Sequence, residues 1–208
     1  MNLEENLTLP VESVLSIMQS RITRHTSYLG VKAVKSPLDF WVYQEIIYQT
    51  KPDVIVEIGT GTGGATLALA HLCDNSQGRV ISMDTDQKAH EKVRNHPRIT
   101  LLEGDALDLF KQIRQLIAPW EKVMVIEDSS HTYDNTLMVL RVYSSLIKSG
   151  QYFIVEDTNC HHGVNRGPSP GPYEAVETFL SESAEFESDR SKESFFITTN
   201  PKGYLRRV

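Results

Sequence analysis

The chain has 208 residues, 40% of them hydrophobic and 23% charged, a balance that supports one substantial buried core and excludes disordered and fibrous classes. Its formal net charge of -6 argues against a broad phosphate-tracking surface, because nucleic-acid binding draws on clustered Lys and Arg. Cys73 and Cys160 form neither a disulfide framework nor a zinc spacing, and the first ten residues, with Glu4 and Glu5 and no long apolar stretch, suit neither a signal peptide nor an anchor, so a cytoplasmic protein acting on a small molecule, with no nucleic acid or membrane partner, is expected.

Val11, Val14, Leu15, Met18 and Ile22 recur at helical spacing and predict an amphipathic helix outside the central sheet. Ser36 as N-cap, Pro37 at the first helical position and Asp39 three residues after the cap announce a second helix running toward Tyr48. Residues 1–50 are therefore expected as a helical extension and 51–208 as the cofactor-binding domain.

Strand-like and helix-like segments then alternate: 53–58 before a helix over 63–72, 79–83 before 87–95, 99–102 before 107–117, 122–126 before 133–147, and 152–155 before 173–180. Such alternation implies five parallel strands with crossover helices. Segments 194–199 and 204–207 are strand-like and joined by the turn Asn200-Pro201-Lys202-Gly203, which predicts a closing hairpin. The expected fold class is α/β, doubly wound and Rossmann-like, with a mostly parallel seven-stranded sheet and an antiparallel C-terminal hairpin, an arrangement that suits a methyltransferase architecture better than an all-parallel dinucleotide fold.

After the first of these strands, Gly59-Thr60-Gly61-Thr62-Gly63-Gly64 forms a glycine-rich turn leading into a helix. The spacing of Gly59, Gly61 and Gly64 also fits a dinucleotide fingerprint, so a nicotinamide-dependent oxidoreductase is the alternative reading. Glu57 at the strand end favours S-adenosylmethionine, since a carboxylate can neutralise its cationic amino-acid portion and gains nothing from a pyrophosphate. Asp84, ending the next strand, is placed to accept from ribose hydroxyls in either case. Asp105, beside Ala106, is read as an adenine contact or equally as a helix N-cap.

Two strands end in acids: Glu127-Asp128-Ser129-Ser130-His131 and Glu156-Asp157-Thr158-Asn159. In a doubly wound sheet these ends lie on the edge that carries the glycine turn, so Asp128, Glu156 and Asp157 converge and repel unless a cation compensates. An all-oxygen set suits Mg²⁺ or another hard divalent ion, with zinc less fitting and a two-histidine iron site less fitting still. His131 lies within reach of a hydroxyl at such an ion, as general base. His161 and His162, in the irregular segment 158–172, are weaker candidates for substrate contact.

Taken with Tyr28-Leu29-Gly30-Val31, Lys35-Ser36-Pro37-Leu38-Asp39, Tyr43-Gln44-Glu45, Gly171-Pro172-Tyr173-Glu174-Ala175-Val176 and Asn200-Pro201-Lys202-Gly203-Tyr204-Leu205, these motifs resemble the cephalosporin hydroxylase and rhamnosyl O-methyltransferase family. The resemblance implies metal ligation by Asp128, Glu156 and Asp157, a base at His131, and cofactor contacts from Glu57, Gly59 and Asp84, with Thr60, Gly61, Gly63, Asp105 and Ala106 beside them. It further implies that Lys35 and Tyr43 belong to a segment folded over the cofactor, that a sugar or natural-product hydroxyl is the acceptor, and that members form homo-oligomers.

Overall fold

The computed structural model describes residues 2–208. Helix α1 (Val11–His25) is followed by the two-stranded antiparallel hairpin β1 (Ser27–Tyr28) and β2 (Val31–Lys32), then by α2 (Pro37–Thr50). Next come β3 (Val54–Ile58), α3 (Gly64–Leu72), β4 (Arg79–Asp84), α4 (Glu91–Arg94), β5 (Ile99–Glu103), α5 (Ala106–Leu116), β6 (Val123–Glu127), α6 (Tyr133–Tyr143), β7 (Tyr152–Val155), α7 (Pro172–Glu182), β8 (Phe186–Ser188) and β9 (Tyr204–Arg207).

Every residue of β3, β6 and β7 is buried, as expected of parallel strands covered on both faces. The seven strands run in the order β5-β4-β3-β6-β7-β9-β8, the first five parallel and the last two joining antiparallel. From β3 the chain winds outward through β4 and β5, then returns to place β6 on the other side of β3. That reversal leaves a crevice beyond the carboxyl ends of β3 and β6, where open α/β sheets bind ligands.

Two apolar layers sandwich the sheet. Ile113, Val139, Leu140, Tyr143 and Val176 from α5, α6 and α7 pack on one face. Val42, Tyr43, Ile46 and Ile47 of α2, with Leu69 and Ala70 of α3, pack on the other against Met124, Ile126, Ile154 and Tyr204. The boundary expected after residue 50 thus does not separate two cores, since α2 shares one with the sheet. Helix α1, in contrast, fully buries only Ile22.

Three local expectations are corrected. The helix over 87–95 contracts to α4, because Gln87 is drawn away to donate to the Thr60 hydroxyl and the Leu102 carbonyl. The helix over 133–147 ends at Tyr143, and a short 3₁₀ turn, Ser144–Leu146, follows. The partner of β9 is β8 rather than 194–199, with Glu187 opposite Arg206. Segment 194–199 leaves the sheet because Asp39, at the start of α2, accepts from the Thr198 hydroxyl, the Thr199 amide and hydroxyl, and the Tyr204 hydroxyl. A buried carboxylate with four donors has its desolvation offset, and that demand outweighs strand pairing.

The turn before β9 closes onto β7 at Gly203, whose carbonyl accepts from the Val155 amide at 2.9 Å. A Cβ there would lie 2.2 Å from the Val155 carbonyl oxygen. Gly203→Ala should therefore lower the unfolding free energy in urea by about 1–3 kcal/mol, and an unchanged midpoint would show that the turn has room to move.

Candidate active site

A cleft of about 510 Å³ occupies the crevice. Its floor is the glycine turn, the ends of β4 and β5, and the acidic ends of β6 and β7; its roof is the segment Lys32–Ser36, with Gln19 and Ile22 of α1.

The nucleoside half is built on close backbone approach. Gly59 has φ 103°, and a Cβ there would sit 1.9 Å from the Asp128 carbonyl oxygen, so the two strand ends flanking the crevice touch only because this residue has no side chain. The Gly61 amide donates to Asp84 Oδ2 at 2.9 Å and the Asp86 amide to Oδ1 at 3.2 Å, which fixes the Asp84 carboxylate at the cleft wall. Thr60 also lines the cleft, its hydroxyl 2.7 Å from that of Ser82.

Other expected cofactor contacts divide. Asp105 caps α5 by accepting from the Leu107 amide at 2.8 Å, which is the capping alternative, yet it also lines the cleft beside Ala106. Gly63 is the left-handed residue before α3 and faces Val93, away from the cleft wall. Glu57 is fully buried beneath the turn, accepting at Oε2 from Thr66 at 2.5 Å and Ser82 at 2.6 Å, with Oε1 unpartnered. Burial holds its carboxyl above the usual range, against the pull of the Lys35 ammonium and both hydroxyls. Tyr43, expected above the cofactor, lies beneath the site: α2 packs on the face of the sheet rather than over its edge, and the Tyr43 hydroxyl accepts from Asn200 Nδ2 at 2.8 Å.

In the acidic half, Asp128, His131 and Asp157 each present one ligand atom, all within 4.8 Å of one another. His131 Nε2 is 3.5 Å from Asp157 Oδ2 and 3.8 Å from Asp128 Oδ1, while its Nδ1 is buried without a partner. Glu156 points elsewhere: Lys35 Nζ bridges it to Asp128 Oδ2, the latter at 2.5 Å. Burial pushes the Glu156 carboxyl well up, and repulsion from Asp128 adds to it; Asp157 is raised by the same two causes. Burial disfavours the Lys35 charge, but the Asp128 and Glu156 carboxylates outweigh it and hold the ammonium above its ordinary value. One ammonium cannot balance three crowded acids, so the carboxylates of Asp128 and Asp157 fit a hard divalent cation, with His131 beside them rather than as a required ligand.

Backbone strain gathers at the same place. His131 and Asp157 have φ 55° and 53°, left-handed conformations that are costly for residues with a Cβ and that cluster at functional sites. Apart from Lys35, which the family resemblance had named, the supporting groups came from positions without a local signal. Lys35 holds two acids from its place in the roof, Ser129 and Asn135 donate to the fully buried Glu127, and Gln19 reaches the roof. Burial pushes the Glu127 carboxyl up to about 7 although the Ser129 hydroxyl opposes the shift. Each of these partners lies on a different element from the motif it serves, except Ser129. His161 and His162 lie outside the cleft lining, where His162 Nε2 pairs with Glu174 at 2.7 Å and its ring stacks on Tyr173.

The profile of the family described as "Rhamnosyl O-methyltransferase/CmcI" matches residues 20–208. This chain belongs to that family. A rhamnosyl O-methyltransferase of Mycobacterium tuberculosis is 32% identical over 191 residues, covering 88% of this chain and 78% of the relative; that of Mycobacterium leprae is 32% identical over 190 residues, covering 88% and 83%. A CmcI structure holding Mg-SAM superposes with a TM-score of 0.70 at 24% identity, covering 88% of this chain and 76% of the other. The fold is that of S-adenosylmethionine-dependent methyltransferases.

Lys35 and Glu156 are 9% and 5% exposed, so removing the ammonium leaves a buried carboxylate unpaired. Lys35→Ala should destabilise the metal-free protein by about 3–5 kcal/mol, and added Mg²⁺ should raise its unfolding temperature more than that of the wild type. Equal metal-free stability of the two proteins in urea would show that the bridge contributes nothing.

Proposed function

We propose that this family member uses S-adenosylmethionine and a divalent metal, Mg²⁺ first, to methylate a hydroxyl of a sugar or glycosylated natural product. The observation that carries this reading is the meeting of Asp128, His131 and Asp157 at one point, across the switch crevice from the glycine turn and Asp84. The names of the mycobacterial relatives support a sugar hydroxyl as acceptor, and the Mg-SAM-bound neighbour supports the cofactor pair. No observation favours the nicotinamide alternative; the Glu57 carboxylate beneath the glycine turn would repel a pyrophosphate.

S-adenosylmethionine supplies an electrophilic methyl group, and a divalent cation, when bound, lowers the pKa of a hydroxyl beside it. Asp128 and Asp157 are assigned as ligands, with Glu156 the third acid of the cluster. Asp84 receives the ribose, and Asp105 and Ala106 flank the base. His131 Nε2, 3.5 Å from Asp157 Oδ2 and 3.8 Å from Asp128 Oδ1, would take the proton of an acceptor hydroxyl held beside these acids. Residues 1–50 supply the roof through Gln19, Ile22 and Lys35, which excludes water from the reacting centre. The reading extends to a cytoplasmic protein, on the free cysteines Cys73 and Cys160, and to a homo-oligomer, on the family resemblance.

The test is incubation of the purified protein with S-adenosylmethionine and a panel of rhamnosides and other deoxysugar glycosides, with Mg²⁺ or with EDTA. The expected product is heavier by one methylene and forms only with metal. Turnover that persists in EDTA would remove the metal from the reading, and methylation of catechols but no sugar would move the acceptor class. Asp128→Ala should abolish turnover and leave S-adenosylhomocysteine binding largely intact in calorimetry. Asp84→Ala should weaken that binding roughly 10- to 100-fold, the scale of a lost hydrogen bond to a charged group; an unchanged affinity would displace the ribose from Asp84.

A further inference from the structure

The turn that joins the C-terminal part of the chain to β9 has no direct place in the reaction described above, yet it is bound to the segment that carries the acidic cluster. Asn200 is completely buried. Its Oδ1 accepts from the backbone amide of Asp157 at 3.2 Å, and its Nδ2 donates to the Tyr43 hydroxyl at 2.8 Å. Neighbouring bonds tighten the same contact: the Asn159 amide donates to the Thr199 carbonyl at 3.1 Å, and the Thr158 hydroxyl to the Pro201 carbonyl at 2.7 Å. The turn is itself held from α2, where Asp39 accepts from Thr199.

What this clamp holds is an unfavourable conformation. Asp157 has φ 53°, and a residue with a Cβ keeps a left-handed backbone only where its surroundings over-determine it. That conformation turns the carboxylate toward Asp128 and His131 instead of along the line of β7. Asp157 lies beyond the end of β7, where no ladder partner receives its amide, and Asn200 is the partner that does. Asparagine suits the position because a neutral amide offers an acceptor to Asp157 and a donor to Tyr43 without adding a fourth charge beside Asp128, Glu156 and Asp157.

We infer that Asn200 is a positioning residue for the metal site: it never touches the cation, but by binding the Asp157 amide it fixes the direction of the Asp157 carboxylate. Metal affinity therefore depends on a side chain 43 positions away in sequence, through one backbone hydrogen bond. The inference rests on the proposed divalent cation at this cluster, and the experiment separates the two.

Mn²⁺ binding is measured by calorimetry and by the electron paramagnetic resonance of free Mn²⁺, for the full-length wild type and for Asn200→Ala, Asn200→Leu and Asn200→Asp; S-adenosylhomocysteine affinity is measured without metal on the same samples. Asn200→Leu keeps the buried volume should the alanine variant fail to fold, and Asn200→Asp keeps an acceptor for the Asp157 amide. The expected result is a roughly 10- to 100-fold loss of Mn²⁺ affinity in the alanine and leucine variants, a smaller loss in the aspartate variant, and cofactor affinity within about twofold of the wild type throughout. Wild-type Mn²⁺ affinity in a folded alanine or leucine variant overturns the positioning role while leaving the metal reading intact. Absence of Mn²⁺ binding in the wild type itself overturns both. A lower unfolding temperature with unchanged Mn²⁺ affinity reduces Asn200 to a structural residue and likewise overturns the role.

Discussion

A single ammonium group, buried between two carboxylates, joins three parts of this protein that the chain keeps far apart. Lys35 comes from the segment before the sheet, Asp128 from the end of β6 and Glu156 from the end of β7. Taking these charges out of water is expensive, and each is tolerated only because the others are present. The bridge thereby sets the distance between the roof segment and the acidic edge, and the cleft exists in the space it leaves. It also leaves Asp157 and the second oxygen of Asp128 facing His131 with charge to spare, which is the condition for cation binding.

The winding of the sheet supplies the other half of the site. Because β6 returns beside β3, the glycine turn and the Asp128 segment emerge side by side, and the fit between them is close enough that only a glycine at position 59 is accommodated. The two halves of the cleft then differ in how they are held. The nucleoside half relies on backbone amides and hydroxyls, such as Gly61 to Asp84 and Thr66 to Glu57. The acidic half relies on charge balance and on two left-handed residues, His131 and Asp157. Strain of that sort persists only where a rigid surround imposes it, and here the surround is the parallel core on one side and the Asp39-anchored turn on the other.

Glu57 illustrates how a motif residue can serve indirectly. The sequence reading gave it a contact with the cationic end of the cofactor, whereas in the folded chain it lies under the glycine turn and binds Thr66 and Ser82. Its negative charge still bears on the cleft through the turn and through Lys35, which feels it. Asp105 shows the reverse: a cap by its hydrogen bond, it remains in the cleft wall.

Much was legible from sequence because it depends on short-range pattern. The five parallel strands follow from continuous apolar runs, the second helix from Ser36 and Pro37, the crevice from the alternation of elements, and the candidate acids from their places at strand ends. The sequence could not decide which acid meets which partner. Lys35 to Glu156, Asn200 to Asp157 and Asp39 to Thr199 are separated by 121, 43 and 160 positions, and nothing local distinguishes these side chains from solvated ones. The displaced β9 partner has the same origin: 194–199 has strand character, but a buried Asp39 on another element needs its donors. Local periodicity determined the elements and the edge on which chemistry gathers, while the assignment of buried charges and amides to one another was decided only by tertiary packing, since desolvation acts on groups brought together in space.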